Sequence, residues 1–166
     1  MSADNVAGDY AAELRVTLDR ARDFLYGIND EAASYRTASG KWSPKEIIGH
    51  LIDSASNNHE RFVRAQFNDD LEFSGYDQDA WVSTQHYRDA YWGDLVALWY
   101  YFNLHIARLM ETAAIDERVR PRARHNLHQI AWQPVPQNEP ATLDYFMRDY
   151  VGHLKHHLAQ LGFEAR

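Results

Sequence analysis

"WSPKEIIGHLIDSASNNHERF", residues 42–62, carries a complete helix start and a long apolar face in a single run. Ser43 is a capping residue, Pro44 suits the first helical position, and Glu46 completes an S-x-x-E capping box. Ile47, Leu51, Ser54, Ala55, Asn58 and Phe62 then follow one face, which predicts a helix running to about Asn68. His50 falls three residues after Ile47, beside that stripe. A polar residue there is either a hydrogen-bonded core histidine or one corner of a site that other segments complete.

Three more segments share the helical period. From about Asn5 to Gly27, Val6, Leu14, Leu18, Ala21, Phe24 and Leu25 recur at three- and four-residue steps. A third helix is predicted from about Trp92 to Ala114, with Leu95, Leu98, Trp99, Phe102, Ile106, Leu109 and Met110 as its core face. A last helix runs from about Thr142 to Leu161 and meets Gly162, a natural C-terminal stop. "NDEAASYRTASGK", 29–41, loses the periodicity and reads as a connection. Residues 69–91 form a long aromatic-rich connection with one short helical turn near Asp77 to Val82. Pro121, Pro134, Pro136 and Pro140 preclude a long helix between 116 and 140. Four long helices with little alternating pattern predict an all-α four-helix bundle, one domain over 1–166.

Composition narrows the function. A chain of 166 residues with 45% hydrophobic residues can bury a sizeable core without disulfides. No apolar run approaches a membrane span and the first 20 residues include Asp4, Asp9, Glu13, Arg15, Asp19 and Arg20, so a cytoplasmic location is the expectation. The net charge of -7 and pI near 5.6 oppose phosphate-backbone binding, and no nucleic-acid or membrane partner is expected. The basic cluster Arg118, Arg120, Arg122 and Arg124 reads as a solvated loop. With no cysteine, any metal must be held by His, Asp or Glu.

Histidine placement is the main chemical signal. His153 and His157 are four residues apart and stack on one helical face, a spacing that lets two imidazoles bind one ion. His156 is three from His153, and spacing alone leaves it open as a partner. His50 is the candidate third nitrogen, and three imidazoles with an open position form a catalytic rather than a structural set. The plain alternative is three core histidines and a chance HxxxH pair. His125 and His128 form a rival pair in the proline-rich segment, whereas His59, His86 and His105 have no partner at ligand spacing.

"GKWSPKEIIGHLIDSASNNHERF" (40–62), "YDQDAWV" (76–82) and "DYVGHLKHHLAQL" (149–161) together resemble the DinB/YfiT-like family, in the family's order and over roughly residues 10 to 162. The resemblance implies an up-down-down-up bundle with a long crossover after the second helix, and homodimers. It implies a divalent metal, Zn or Ni, held by His50, His153 and His157, with His156 outside the set. Tyr76, Asp77 and Trp81 correspond to a recurring family segment and are candidates to line the pocket. Asp53, one turn after His50, is a candidate to steer an imidazole or a bound water, against the alternative of an exposed helix aspartate. The family's assigned activities transfer a low-molecular-weight thiol to a small electrophilic substrate or isomerise one with a thiol's help, and other members are described as metal-dependent hydrolases. With no cysteine in the chain, a thiol would arrive on a cosubstrate. A non-catalytic metal-binding stress protein and a metal-free helical scaffold are the competing expectations.

Overall fold

The computed structural model describes residues 8–164. Helix α1 spans Tyr10–Tyr26, and Asp9 caps it by accepting from the Ala12 amide at 3.1 Å. The expected start near Asn5, with Val6, lies outside the described residues. Its inward face, Ala11, Leu14, Leu18, Ala21 and Leu25, is buried. The connection that follows contains an unforeseen short helix, α2, at Asp30–Ala33. Asp30 there accepts from Lys45 Nζ at 2.9 Å and from the Trp92 amide at 2.8 Å, so one carboxylate fastens together the starts of two later helices.

Helix α3, Pro44–Ala65, begins with the full reciprocal capping box: the Ser43 hydroxyl accepts from the Glu46 amide at 3.3 Å, and the Glu46 carboxylate accepts from the Ser43 amide at 2.8 Å. The crossover carries α4, Gln78–Thr84, capped by Asp77, and a 3-10 turn at Tyr87–Asp89. Helix α5 spans Trp92–Thr112; short helices α6, Ile115–Val119, and α7, Leu127–Ile130, follow; and α8 spans Leu143–Gln160, capped by Thr142. Gly162 closes the last helix at φ +89°, a left-handed conformation that suits a residue with no Cβ. No strand occurs among the described residues; isolated bridges pair Leu71 with His125 and Arg122 with Ala141.

Side-chain contacts give the direction of each long helix. Trp92 Nε1 donates to Leu25 O at 2.9 Å and Arg15 pairs with Glu111 at 2.8 Å, so α1 and α5 run antiparallel. Lys45 at the start of α3 meets Asp30, which also holds Trp92 at the start of α5, and further along His59 lies beside Phe102 and His105; these two helices are parallel. Glu13 pairs with Lys155 and Phe24 packs on Phe163, which makes α1 and α8 parallel, whereas His50 against His153 and Phe62 against Phe146 make α3 and α8 antiparallel. The order is up-down-down-up, and the parallel pair α3 and α5 requires the long crossover between them.

Four sequence expectations change. The arginine segment is only partly a solvated loop: Arg124 is exposed, but Arg122 is buried, donates to Ala65 O at 2.8 Å and pairs with Glu117 at 3.0 Å. A guanidinium placed on the last carbonyl of α3 complements that helix end, which stops at Ala65 rather than Asn68. Leu98 faces outward from α5, whereas Trp99 and Leu95 face the core. His59 and His105, without a partner by sequence spacing, are ring neighbours at 5.2 Å across α3 and α5.

Close approach explains one glycine. A Cβ built on Gly49 would stand 2.1 Å from the Tyr87 ring, so the crossover lies directly on α3 one residue from His50. Gly49→Ala is expected to lower unfolding stability by about 1–3 kcal/mol, as overpacking does, read as a reduced urea midpoint at unchanged slope. An unchanged midpoint would show that Tyr87 moves aside freely.

Candidate metal centre

Antiparallel packing of α3 on α8 brings His50 opposite His153 and His157. Nε2 of His153 lies 3.3 Å from Nε2 of His50 and 3.0 Å from Nε2 of His157. All three side chains offer a ligand nitrogen within 4.8 Å of the others. A tetrahedral ion with Zn–N bonds of about 2.0–2.1 Å separates its nitrogens by about 3.3–3.4 Å, so a small rotation of the imidazoles matches the donor set to such an ion. The set is neutral and nitrogen-only, suited to Zn²⁺ or Ni²⁺ and unsuited to Ca²⁺ or Mg²⁺.

Surroundings fix the rings. His50 is fully buried, and the Trp42 ring covers it at 5.0 Å and approaches His157 at 6.5 Å. His157 Nδ1 lies 3.0 Å from Gln160 Oε1, an acceptor, which places the proton on Nδ1 and leaves the Nε2 lone pair toward the cluster. His50 Nδ1 is buried with no hydrogen-bond partner. Burial, and then the neighbouring His157, push the His50 and His153 pKa values down to about 3; burial also lowers that of His157. Neutral imidazoles are the form that binds metal.

Asp53 is buried on the same helix, but its carboxylate is held by Tyr87 Oη at 2.7 Å and Gln85 Nε2 at 2.7 Å, in the crossover. Burial raises its pKa, more than these hydrogen bonds lower it. The alternative of an exposed helix aspartate is thereby excluded. Asp77 is the α4 cap, accepting from the Ala80 amide at 3.0 Å, and Trp81 packs against Tyr76 at 5.0 Å with its outer face exposed.

A cavity of about 300 Å³ opens on His153 and His157, and His50 stands behind them. Ser54, Asn58 and Arg61 continue its wall along α3, Tyr76 enters from the crossover, and Trp132 and Gln129 come from the proline-rich segment. Asp77 and Trp81 are not among its walls. Burial pushes the Tyr76 phenol up to about 12, so it is a neutral donor at pH 7. Asp149 on α8 accepts from the Trp132 amide at 2.9 Å and the Gln133 amide at 2.8 Å, which holds Trp132 near His153 and His156.

His156 borders the cavity yet stands outside the three-nitrogen cluster. The rival His125 is buried with both nitrogens engaged, Nε2 at 2.7 Å from Glu139 O and Nδ1 accepting from the Leu127 amide at 3.2 Å. Arg61, Trp132 and Asp149 were missed. Arg61 had a usable signal: eleven residues on from His50, it returns to within about 20° of the same helix face. Trp132 had none, because a carboxylate on another element positions it.

In the metal-free protein, the two depressed pKa values set a sign. Between about pH 6.5 and 3 the unfolded chain binds protons that folded His50 and His153 do not, so their contribution to stability falls as pH is lowered through that window. Imidazole ¹⁵N shifts of the apoprotein should show both rings neutral at pH 5. A midpoint near 6.5 for either would mean that the cluster is open to water.

A family model described as the DinB superfamily matches residues 13–161. No curated protein matches the sequence significantly. Among solved structures, YfiT from Bacillus subtilis superposes with a TM-score of 0.74 at 18% identity, over 99% of this chain and 92% of that one. YfiT is described as a probable metal-dependent hydrolase with an unusual four-helix bundle topology.

Proposed function

The chain belongs to the DinB superfamily, and from that premise we propose that it is a metal-dependent enzyme in which His50, His153 and His157 hold one divalent ion, Zn²⁺ or Ni²⁺. Its chemistry is transfer of a low-molecular-weight thiol to a small electrophile. The observation that carries this reading is the meeting of three imidazole nitrogens, from two helices, at the wall of a cavity large enough for a small molecule. A divalent ion bound there supplies Lewis acidity, which makes a thiol or a water molecule nucleophilic near neutral pH.

The chain's own residues supply holding and shielding. Gln160 fixes the His157 tautomer, and Trp42 closes the protein side of the cluster. Trp132, latched by Asp149, narrows the open side and leaves a ligand to approach between α3 and the proline-rich segment. Cysteine is absent from the sequence, so the sulfur must come from a cosubstrate.

Hydrolysis by water, without a thiol, is the second reading; the description of YfiT as a probable metal-dependent hydrolase favours it. A thiol requirement for turnover separates the two.

Tag-free protein is expected to retain about one divalent ion per chain by plasma mass spectrometry. His50→Ala, His153→Ala and His157→Ala should each weaken metal affinity by more than the ~10–100-fold typical of losing a residue that only supports a ligand, while His156→Ala retains the ion. Retention of full stoichiometry in any of the first three, or no uptake by folded apoprotein offered Zn²⁺ and Ni²⁺, would refute the assignment.

A further inference from the structure

Arg61 is 5% exposed and lines the cavity beside the histidines. Its NH2 group donates to Ser74 O at 2.7 Å, NH1 reaches Asn58 Oδ1 at 3.4 Å, and the guanidinium stands 6.0 Å from the Tyr76 ring. All three are neutral groups. Among the described residues no carboxylate lies within ion-pair distance of it. Other buried or nearly buried cations do have one: Lys45 has Asp30, Arg122 has Glu117, and Arg118 has Asp144.

An unpaired buried charge is among the most destabilising features a fold can carry, so a missing anion at Arg61 calls for an occupant. The neighbouring carboxylates are committed elsewhere. Glu60 is exposed and pairs with Arg64 at 2.9 Å, and Asp149 across the cavity accepts two backbone amides. Arg61 also borders a second cavity of about 620 Å³, lined by Glu60, Glu72 and Arg64 as well, where Glu60 is paired with Arg64 and Glu72 with Arg124; that cavity lies away from the three histidines. On the histidine side, Asn58, Gln129 and the neutral Tyr76 add hydrogen-bonding groups around the guanidinium.

We propose that this cavity binds a small molecule bearing a carboxylate, and that Arg61 receives the carboxylate as a planar two-donor fork. The inference deepens the metal-enzyme reading and rests on it for the other end of the ligand. Eleven residues of helix place Arg61 about 16 Å along α3 from His50 and on nearly the same face. Allowing for the reach of both side chains, the ligand holds its acidic group on the order of 10 Å from the atom that meets the histidine cluster. A short acidic thiol has that shape.

Two probe pairs test this on the Zn²⁺-loaded full chain by calorimetry: 6-mercaptohexanoate against 6-mercaptohexan-1-ol, and heptanoate against heptan-1-ol. Wild type is expected to bind the acid of each pair at least ~10-fold more tightly than the alcohol, the scale of a charge-assisted hydrogen-bonded pair. Arg61→Met should bring that ratio to about one, and Arg61→Lys, which keeps the charge but not the fork, should leave it between the two. A purely structural Arg61 would change acid and alcohol affinities together and leave the ratio unmoved. A ratio near one in wild type, or one that persists in Arg61→Met, overturns the proposal; should Arg61→Met not fold, wild type and Arg61→Lys carry the test, and an undiminished ratio in the lysine variant overturns it. Thiol preference is read separately, by comparing each mercapto compound with its thiol-free analogue. Loss of that preference alone would count against thiol chemistry while leaving Arg61 as the carboxylate receptor.

Discussion

The antiparallel contact between α3 and α8 is the constraint on which the rest of the molecule depends. It brings three imidazoles together edge to face, and it does so because Phe62 packs edge-on against Phe146 and Tyr150 further along the same seam. Tyr150 is itself pinned by a hydrogen bond of 2.5 Å to Asn103 on α5, so the seam is referenced to a third helix. A shift of α8 by one residue would rotate His153 and His157 by about 100° away from His50. The register of an apolar interface thus determines whether the nitrogens converge.

That seam also accounts for the polar character of α3. Its inward face carries His50, Asp53, Ser54, Asn58 and Arg61 among buried positions, an expensive arrangement for a helix whose only task is packing. Each has a different resolution. Asp53 is held by the crossover through Oδ1 while its buried Oδ2 has no partner, Asn58 bonds back to Ser54, and His50 stays neutral, while Arg61 stays charged without a carboxylate. The gradient along the helix runs from a nitrogen cluster at one end to a cationic group at the other, with the cavity stretched between them.

Much of this was legible in the sequence. The four long helices followed from apolar periodicity and from the Ser43–Glu46 cap; the long connection at 69–91 was visible too, but that it crosses between parallel helices came from the family resemblance. The convergence of His50 with His153 and His157 depended on the match to a family pattern, since spacing within α8 predicts a pair and says nothing about which helix faces it. What could not be read were contacts in which one element supplies what another lacks: Arg122 on the end of α3, Asp149 on the amides of the proline-rich segment, and Tyr87 against Gly49. Hydrophobic patterns report which face of an element is buried, and these contacts depend on which loop covers it. Arg61 is a different case, because its register was visible but its lack of an anionic partner emerges only in three dimensions.

The Asp149 latch has an evolutionary consequence. Its carboxylate grips the backbone amides of Trp132 and Gln133, not their side chains, so the chemical identity of those positions is free to change while the chain stays anchored. The bundle keeps the histidines in register from one side, and the loop presents an interchangeable surface from the other. The cavity wall contributed by this segment can therefore be rewritten at a few positions without disturbing the helices beneath, while the wall contributed by α3 and α8 stays tied to the packing of the bundle.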